Sequence, residues 1–174
     1  GQLGDGTTTN RLTPVAVKGL NDAVQIAAGY GHTCARRASG QVVCWGWNGF
    51  GQLGDGTSSL VATPVPVAVI GLTDAVEISA GAWYTCARRA SGRVVCWGSN
   101  SYGQLGDGTT TTHITPVAVT GLTDAVEIAA GNSHTCARRT SGRVVCWGWN
   151  MYGQLGAGTS TNSNKPVAVS GLTD

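Results

Sequence analysis

Apolar residues in this chain come in short runs, each closed by glycine, proline or a polar turn. AVQIAAG at 23–29 is followed by HTCARR at 32–37, QVVCWG at 41–46 and PVPV at 64–67. None shows helical periodicity over a useful length, and Val, Thr, Trp and Cys suit a pleated surface. The pattern therefore predicts short strands. The small residues of 23–29 predict a strand packed where space is limited.

The runs recur. GQLG begins at Gly1, Gly51, Gly103 and Gly153, with spacings of 50, 52 and 50. This defines copies at 1–50, 51–102 and 103–152 and a partial copy at 153–174. Each copy is a connector, from GQLG to GL-x-D, followed by a hairpin segment. Pro14, Pro64, Pro116 and Pro166 are each expected to open the outer strand, where no ladder donor is needed. Copy two has an extra Val65-Pro66 at that place. Four strands in each copy of about 50 residues are the signature of a propeller blade. The expected fold is all-β, a β-propeller of four-stranded antiparallel blades, with the small-residue strand innermost. Three blades are complete, and the leading connector at 1–22 belongs to a blade upstream. The chain is thus expected to be a segment of a longer propeller or repeat array. A ring of two chains is the runner-up.

The hairpin segment carries the cysteines. In HTCARRASGQVVCW, residues 38–40 form a three-residue loop in which Gly40 takes the left-handed position. That loop sets Arg36 opposite Val42, Ala35 opposite Val43 and Cys34 opposite Cys44. The same register opposes Cys86 to Cys96 and Cys136 to Cys146. Opposed, non-hydrogen-bonded residues lie about 4.5 Å apart at Cα, near the short end of the disulfide range. Three readings are open: three disulfides, six buried thiols, or zinc held by His32, Cys34 and Cys44. Opposition three times over favours disulfides. Tyr84, standing where copy two would need its histidine, weighs against zinc. Disulfides imply an oxidising compartment, so the expected location is extracellular or at the cell surface.

GQLGDGT, the AAGxxHTCA core and the VVCWGxN ending resemble the repeat of the regulator of chromosome condensation family. The resemblance covers the whole chain in register and implies a seven-bladed propeller. The paired cysteines depart from the nuclear founding member and resemble secreted bacterial versions of the repeat. That departure argues against nuclear guanine-nucleotide exchange.

Composition narrows the function. Charged residues are 11% and the net charge is +2, too small to imply a nucleic-acid partner. No apolar run approaches the roughly 20 residues that span a membrane, so no membrane insertion is expected. Beginning at Gly1, within a repeat, the chain reads as a processed or excised fragment. GQLGDGT lacks the Lys and helix of a phosphate-binding loop. Asp5, Asp55 and Asp107 read as turn formers rather than metal ligands, since copy four has Ala157. His32 and His134 read as hydrogen-bonding residues near the axis, because no free nucleophile stands at a fixed offset from them. No enzyme activity and no cofactor are expected. Trp45, Trp97 and Trp147 are expected to pack between blades.

The copies differ mostly in aromatic-bearing loops. The candidate binding residues there are Tyr30, His32, Trp47, Phe50, Trp83, Tyr84, Tyr102, Asn132, His134, Trp149 and Tyr152. A constant frame with varied loops is what a binding surface looks like. Arg36, Arg37, Arg88, Arg89, Arg138 and Arg139 flank the hairpin tips and form a candidate basic rim, which could attract an acidic surface or polysaccharide. The other reading is a solvated edge that discourages strand addition. The expected function is an extracytoplasmic protein-binding or scaffold module, capable of self-association. A secreted enzyme inhibitor and a repeat of a surface fibre or adhesin are the alternatives, with nucleotide exchange behind them.

Overall fold

The computed structural model describes residues 1–172; the end of the partial copy, 173–174, lies outside them. Twelve strands form three four-stranded antiparallel sheets. The first contains β1 (Ala23–Ala28), β2 (His32–Arg37), β3 (Val42–Asn48) and β4 (Ser59–Ala68), in that order. The second repeats it with β5 (Ala75–Ala80), β6 (Tyr84–Arg89), β7 (Val94–Gly98) and β8 (His113–Ala118). The third uses β9 (Ala125–Ala130), β10 (His134–Arg139), β11 (Val144–Gly148) and β12 (Ser163–Ala168). No helix occurs among the described residues.

The hairpin register is the one that the three-residue loop dictates. Arg36 pairs with Val42, Ala35 with Val43 and Cys34 with Cys44. At the tip the Gly40 amide donates to the Arg37 carbonyl at 3.0 Å, and Gly40 has φ of +85°. A side chain there would be strained and would also strike the Thr73 carbonyl. Cys34–Cys44, Cys86–Cys96 and Cys136–Cys146 are disulfide-bonded, with Cα separations of 4.0 to 4.1 Å.

The outer strands correct one expectation. Their prolines do not open them but lie inside, as Pro64 and Pro66 in β4, Pro116 in β8 and Pro166 in β12. Pairing to the neighbouring strand is irregular there, so a missing amide is tolerated at an edge. The extra Val65-Pro66 falls in β4, which runs to 10 residues against six in β8 and β12. Residues 15–17, expected as a strand after Pro14, belong to no sheet. In the later copies the equivalent stretch pairs with the third strand contributed by the preceding copy, β3 for β4 and β7 for β8.

The pleat gives each blade two buried faces. Cys34, Val42 and Cys44 point forward onto Ala75, Ile78, Ala87, Val95 and Trp97 of the second blade, with Leu53, Val69 and Leu72 of the connector wedged between them. The second interface repeats this with Cys86, Val94 and Cys96 against Ala125, Ile128, Ala137, Val145 and Trp147. The core is therefore interfacial: a blade completes its own packing only against the next one. On the outward face of the first blade Ala35, Val43 and Trp45 stay buried against Val17 and Leu20 of the leading connector, but the inner-strand residues Ala23 and Ile26 are uncovered. Ile26 is 71% exposed, whereas its counterparts Ile78 and Ile128 are 3% and 6%.

Candidate functional site

Each blade has two ends of different chemistry. At the hairpin-tip end, Arg37, Arg89 and Arg139 reach back to Asp22, Asp74 and Asp124 at 2.8 to 2.9 Å. Arg88 and Arg138 pair with Glu77 and Glu127 on the inner strands. Arg36 faces Gln25 at that position and donates to its side-chain oxygen. The six arginines stand at equivalent positions beside the hairpin tips of the three blades, and five of them carry a carboxylate partner. The rim is a band of ion pairs rather than a free basic surface. Such partly exposed pairs contribute about 0–1 kcal/mol each.

Inside the interfaces stand two residues that the sequence placed among the binding loops. His32 is 1% exposed and Tyr84 is fully buried. The Thr85 hydroxyl donates to the Gln52 carbonyl at 3.0 Å, so His32 Nε2, 2.8 Å away, must be the donor to Thr85. Burial pushes the imidazole down to about 4, so it is neutral and carries its proton on Nε2. Tyr84 takes the same place in the second interface, where its phenol donates to the His134 carbonyl and burial pushes its pKa up. Both residues fasten blades together and offer nothing to a ligand. His134 is half-buried at the open end of the third blade.

Beside them, Trp45, Trp97 and Trp147 are buried, each donating its indole N–H to the carbonyl of the connector glutamine, Gln2, Gln52 or Gln104. Asp5, Asp55 and Asp107 accept from the amide and hydroxyl of the threonine two residues on. They are turn formers.

The opposite end, formed by the loops after each inner strand and after each third strand, keeps the other aromatic candidates together. Tyr30 and Trp83 meet with ring centroids 4.8 Å apart, Trp83 and Trp47 at 4.7 Å, and Trp47 and Phe50 at 5.3 Å. The cluster spans the seam between the first and second blades. Sequence reasoning singled out its members but not their meeting, because Trp83 is 36 positions from Trp47 in the neighbouring copy. A second cluster, Tyr102, Trp149 and Tyr152, occupies the next seam. Tyr30 is 77% exposed and Tyr152 81%. Asn132 is exposed in the third blade and stands outside both clusters.

The regulator of chromosome condensation (RCC1) repeat model matches residues 1–36, 39–88, 91–138 and 141–174. The chain belongs to this repeat family. Family members among curated proteins include the ultraviolet-B receptor UVR8 of Arabidopsis thaliana. It is 34% identical over 110 residues, which cover 62% of this chain and 25% of the receptor. The chain thus spans about a quarter of the length of that relative. Among solved structures, Prp20p from Saccharomyces cerevisiae, for which binding to Gsp1p and histones is described, superposes with a TM-score of 0.84 at 20% identity. The match covers 97% of this chain and 44% of Prp20p. The ectodomain of the receptor kinase CR4 of Physcomitrella patens matches with a TM-score of 0.52 at 25% identity, over 82% of this chain and 34% of that one. The fold is that of RCC1 repeats in a β-propeller.

Proposed function

We propose that these RCC1 blades form an extracytoplasmic protein-binding module whose contact surface is the aromatic loop face. The observation that carries this is the exposure of two aromatic clusters on loops that vary between copies, while the frame beneath them is constant. Tyr and Trp supply large, rigid contact area at low entropic cost and dominate interface hot spots. The paired-charge rim lacks such anchors. Binding of proteins by Prp20p supports the same reading at the level of the family fold.

All six cysteines are in disulfides, which supports an oxidising location. The similarity to a receptor ectodomain agrees with it. No nucleophile–base pair is part of this reading, which is of a binder rather than an enzyme.

The test is site-specific photo-cross-linking in the native setting. A photoreactive residue at Tyr30 is expected to capture a protein of defined mass. The same residue at Ser39, on the hairpin tip, is expected to capture none. Capture at Ser39 alone, or at neither position, would refute the aromatic face as the contact surface.

A further inference from the structure

We propose that the cluster of Tyr30, Trp47, Phe50 and Trp83 is a docking surface for a proline-rich segment in the polyproline II conformation. This rests on the reading of the aromatic face as a protein-binding surface and names the chemistry of what it takes.

Three observations lead there. The first is charge. The segments at 29–31, 47–52 and 81–83 contain no Asp, Glu, Lys or Arg. The nearest acid along the chain, Asp55, is occupied by Thr57. A face without charge fits a segment that is itself uncharged.

The second observation is hydrogen-bonding polarity. The indoles of Trp45, Trp97 and Trp147 all spend their N–H groups on connector carbonyls. Those of Trp47 and Trp83 find no acceptor among the described residues and are not buried, and the phenol of Tyr30, on a residue 77% exposed, finds none either. The cluster therefore presents donors. A polyproline II segment is the complementary ligand. Proline has a carbonyl acceptor but no amide donor, and its backbone makes no internal hydrogen bonds.

The third observation is shape. The rings of Tyr30 and Trp83 stand at 65°, Trp47 and Trp83 at 67°, and Trp47 and Phe50 at 83°. Rings at such angles make notches between planes rather than one flat plate. Notches suit the ridges of pyrrolidine rings along a polyproline II helix, whereas a flat sugar face stacks best on coplanar aromatics. Aromatic-lined grooves are the general means of reading such helices, because the ligand arrives already ordered. The notches are also built in. A side chain at position 31 would come 2.8 Å from Trp83, and one at position 49 would overlap the Trp47 ring. Gly31 and Gly49 thus leave the two indoles room to lie where they do.

The experiment is a titration of the isotope-labelled chain with decaproline, followed through the indole N–H resonances. The expected result is that Trp47 and Trp83 shift while Trp45 and Trp97 do not. Trp83→Ala and Phe50→Ala are expected to weaken the response about tenfold or more. Both must keep the amide spectrum of the folded chain, and Trp83→Phe should restore part of the affinity. A parallel selection uses a library of uncharged, proline-free peptides, and maltohexaose serves as a neutral sugar probe. Binding of library peptides at Trp83 with no response to decaproline would overturn the proline-rich assignment and leave the protein-binding face standing. A response to maltohexaose alone would overturn both. Indole shifts with decaproline that survive in Trp83→Ala would also overturn the proposal.

Discussion

His32 shows how a single position acquires a stability role. Its Nε2 proton is committed to Thr85 of the next blade, and its other nitrogen lies buried without a partner. Protonating that nitrogen would place a charge in an apolar seam. In the unfolded chain an imidazole titrates near ~6.5, while in the fold His32 is held at about 4. Between these values the unfolded chain binds a proton that the native one does not. Stability is therefore full above about 6.5 and is lost as pH falls toward 4, by on the order of 3 kcal/mol for a shift of this size. His134, half-buried and also lowered by desolvation, acts in the same direction. Tyr84 occupies the equivalent place in the next seam without titrating in this range. His32→Tyr should flatten the acid limb, measured as urea midpoints at pH 7 and pH 4.5. An unchanged loss of stability in that variant would remove His32 from the account.

The hairpin is the element on which the blade depends. A short loop fixes the register, the register opposes the cysteines, and the disulfide then restrains the unfolded chain by about 2–3 kcal/mol on the loop-entropy model. Position along the arc makes three chemically identical staples unequal. Cys34, Cys44, Cys86 and Cys96 are fully buried under the following blade. Cys136 is only half-buried, because its face of the third blade is open. Thiol–disulfide exchange needs access to a sulfur. Under native conditions a low-molecular-weight dithiol should therefore reduce Cys136–Cys146 before the other two pairs. Timed alkylation followed by peptide mapping reads the order. Equal rates for all three pairs would show that the blade interfaces do not shield sulfur.

At the scale of the whole molecule the same residue type has two fates. Ile78 lies in the seam between blades, and Ile26, its counterpart one repeat earlier, faces outward. Ile26→Asp should change stability by no more than about 0.5 kcal/mol. Ile78→Asp should cost at least about 3 kcal/mol, since it buries an unpaired carboxylate. Chemical denaturation compares them directly, and equal costs would contradict an arc of blades packed in one direction. Leu3 follows the same rule, at 42% exposed against 0% for Leu53 and Leu105. The three-blade arc thus keeps an apolar face of the kind that its own internal interfaces cover.

Periodicity alone determined the blades, because a fifty-residue repeat with four apolar runs has one economical way to bury them. Turn length and the left-handed Gly40 determined the cysteine register, since hairpin geometry is local. Local pattern could not place the prolines inside the outer strands, because only the irregular pairing there tolerates them. Nor could it tell an aromatic that faces solvent from one that fills a seam. His32 and Tyr84 read like their neighbours Tyr30 and Trp83, yet the first two are buried and the other two belong to the aromatic cluster at the loop end. The arginine rim looked cationic because each carboxylate partner lies 11 or 15 positions away, on the inner strand or just before it. Burial and charge pairing belong to contacts between repeats, and those exist only once the blades are stacked.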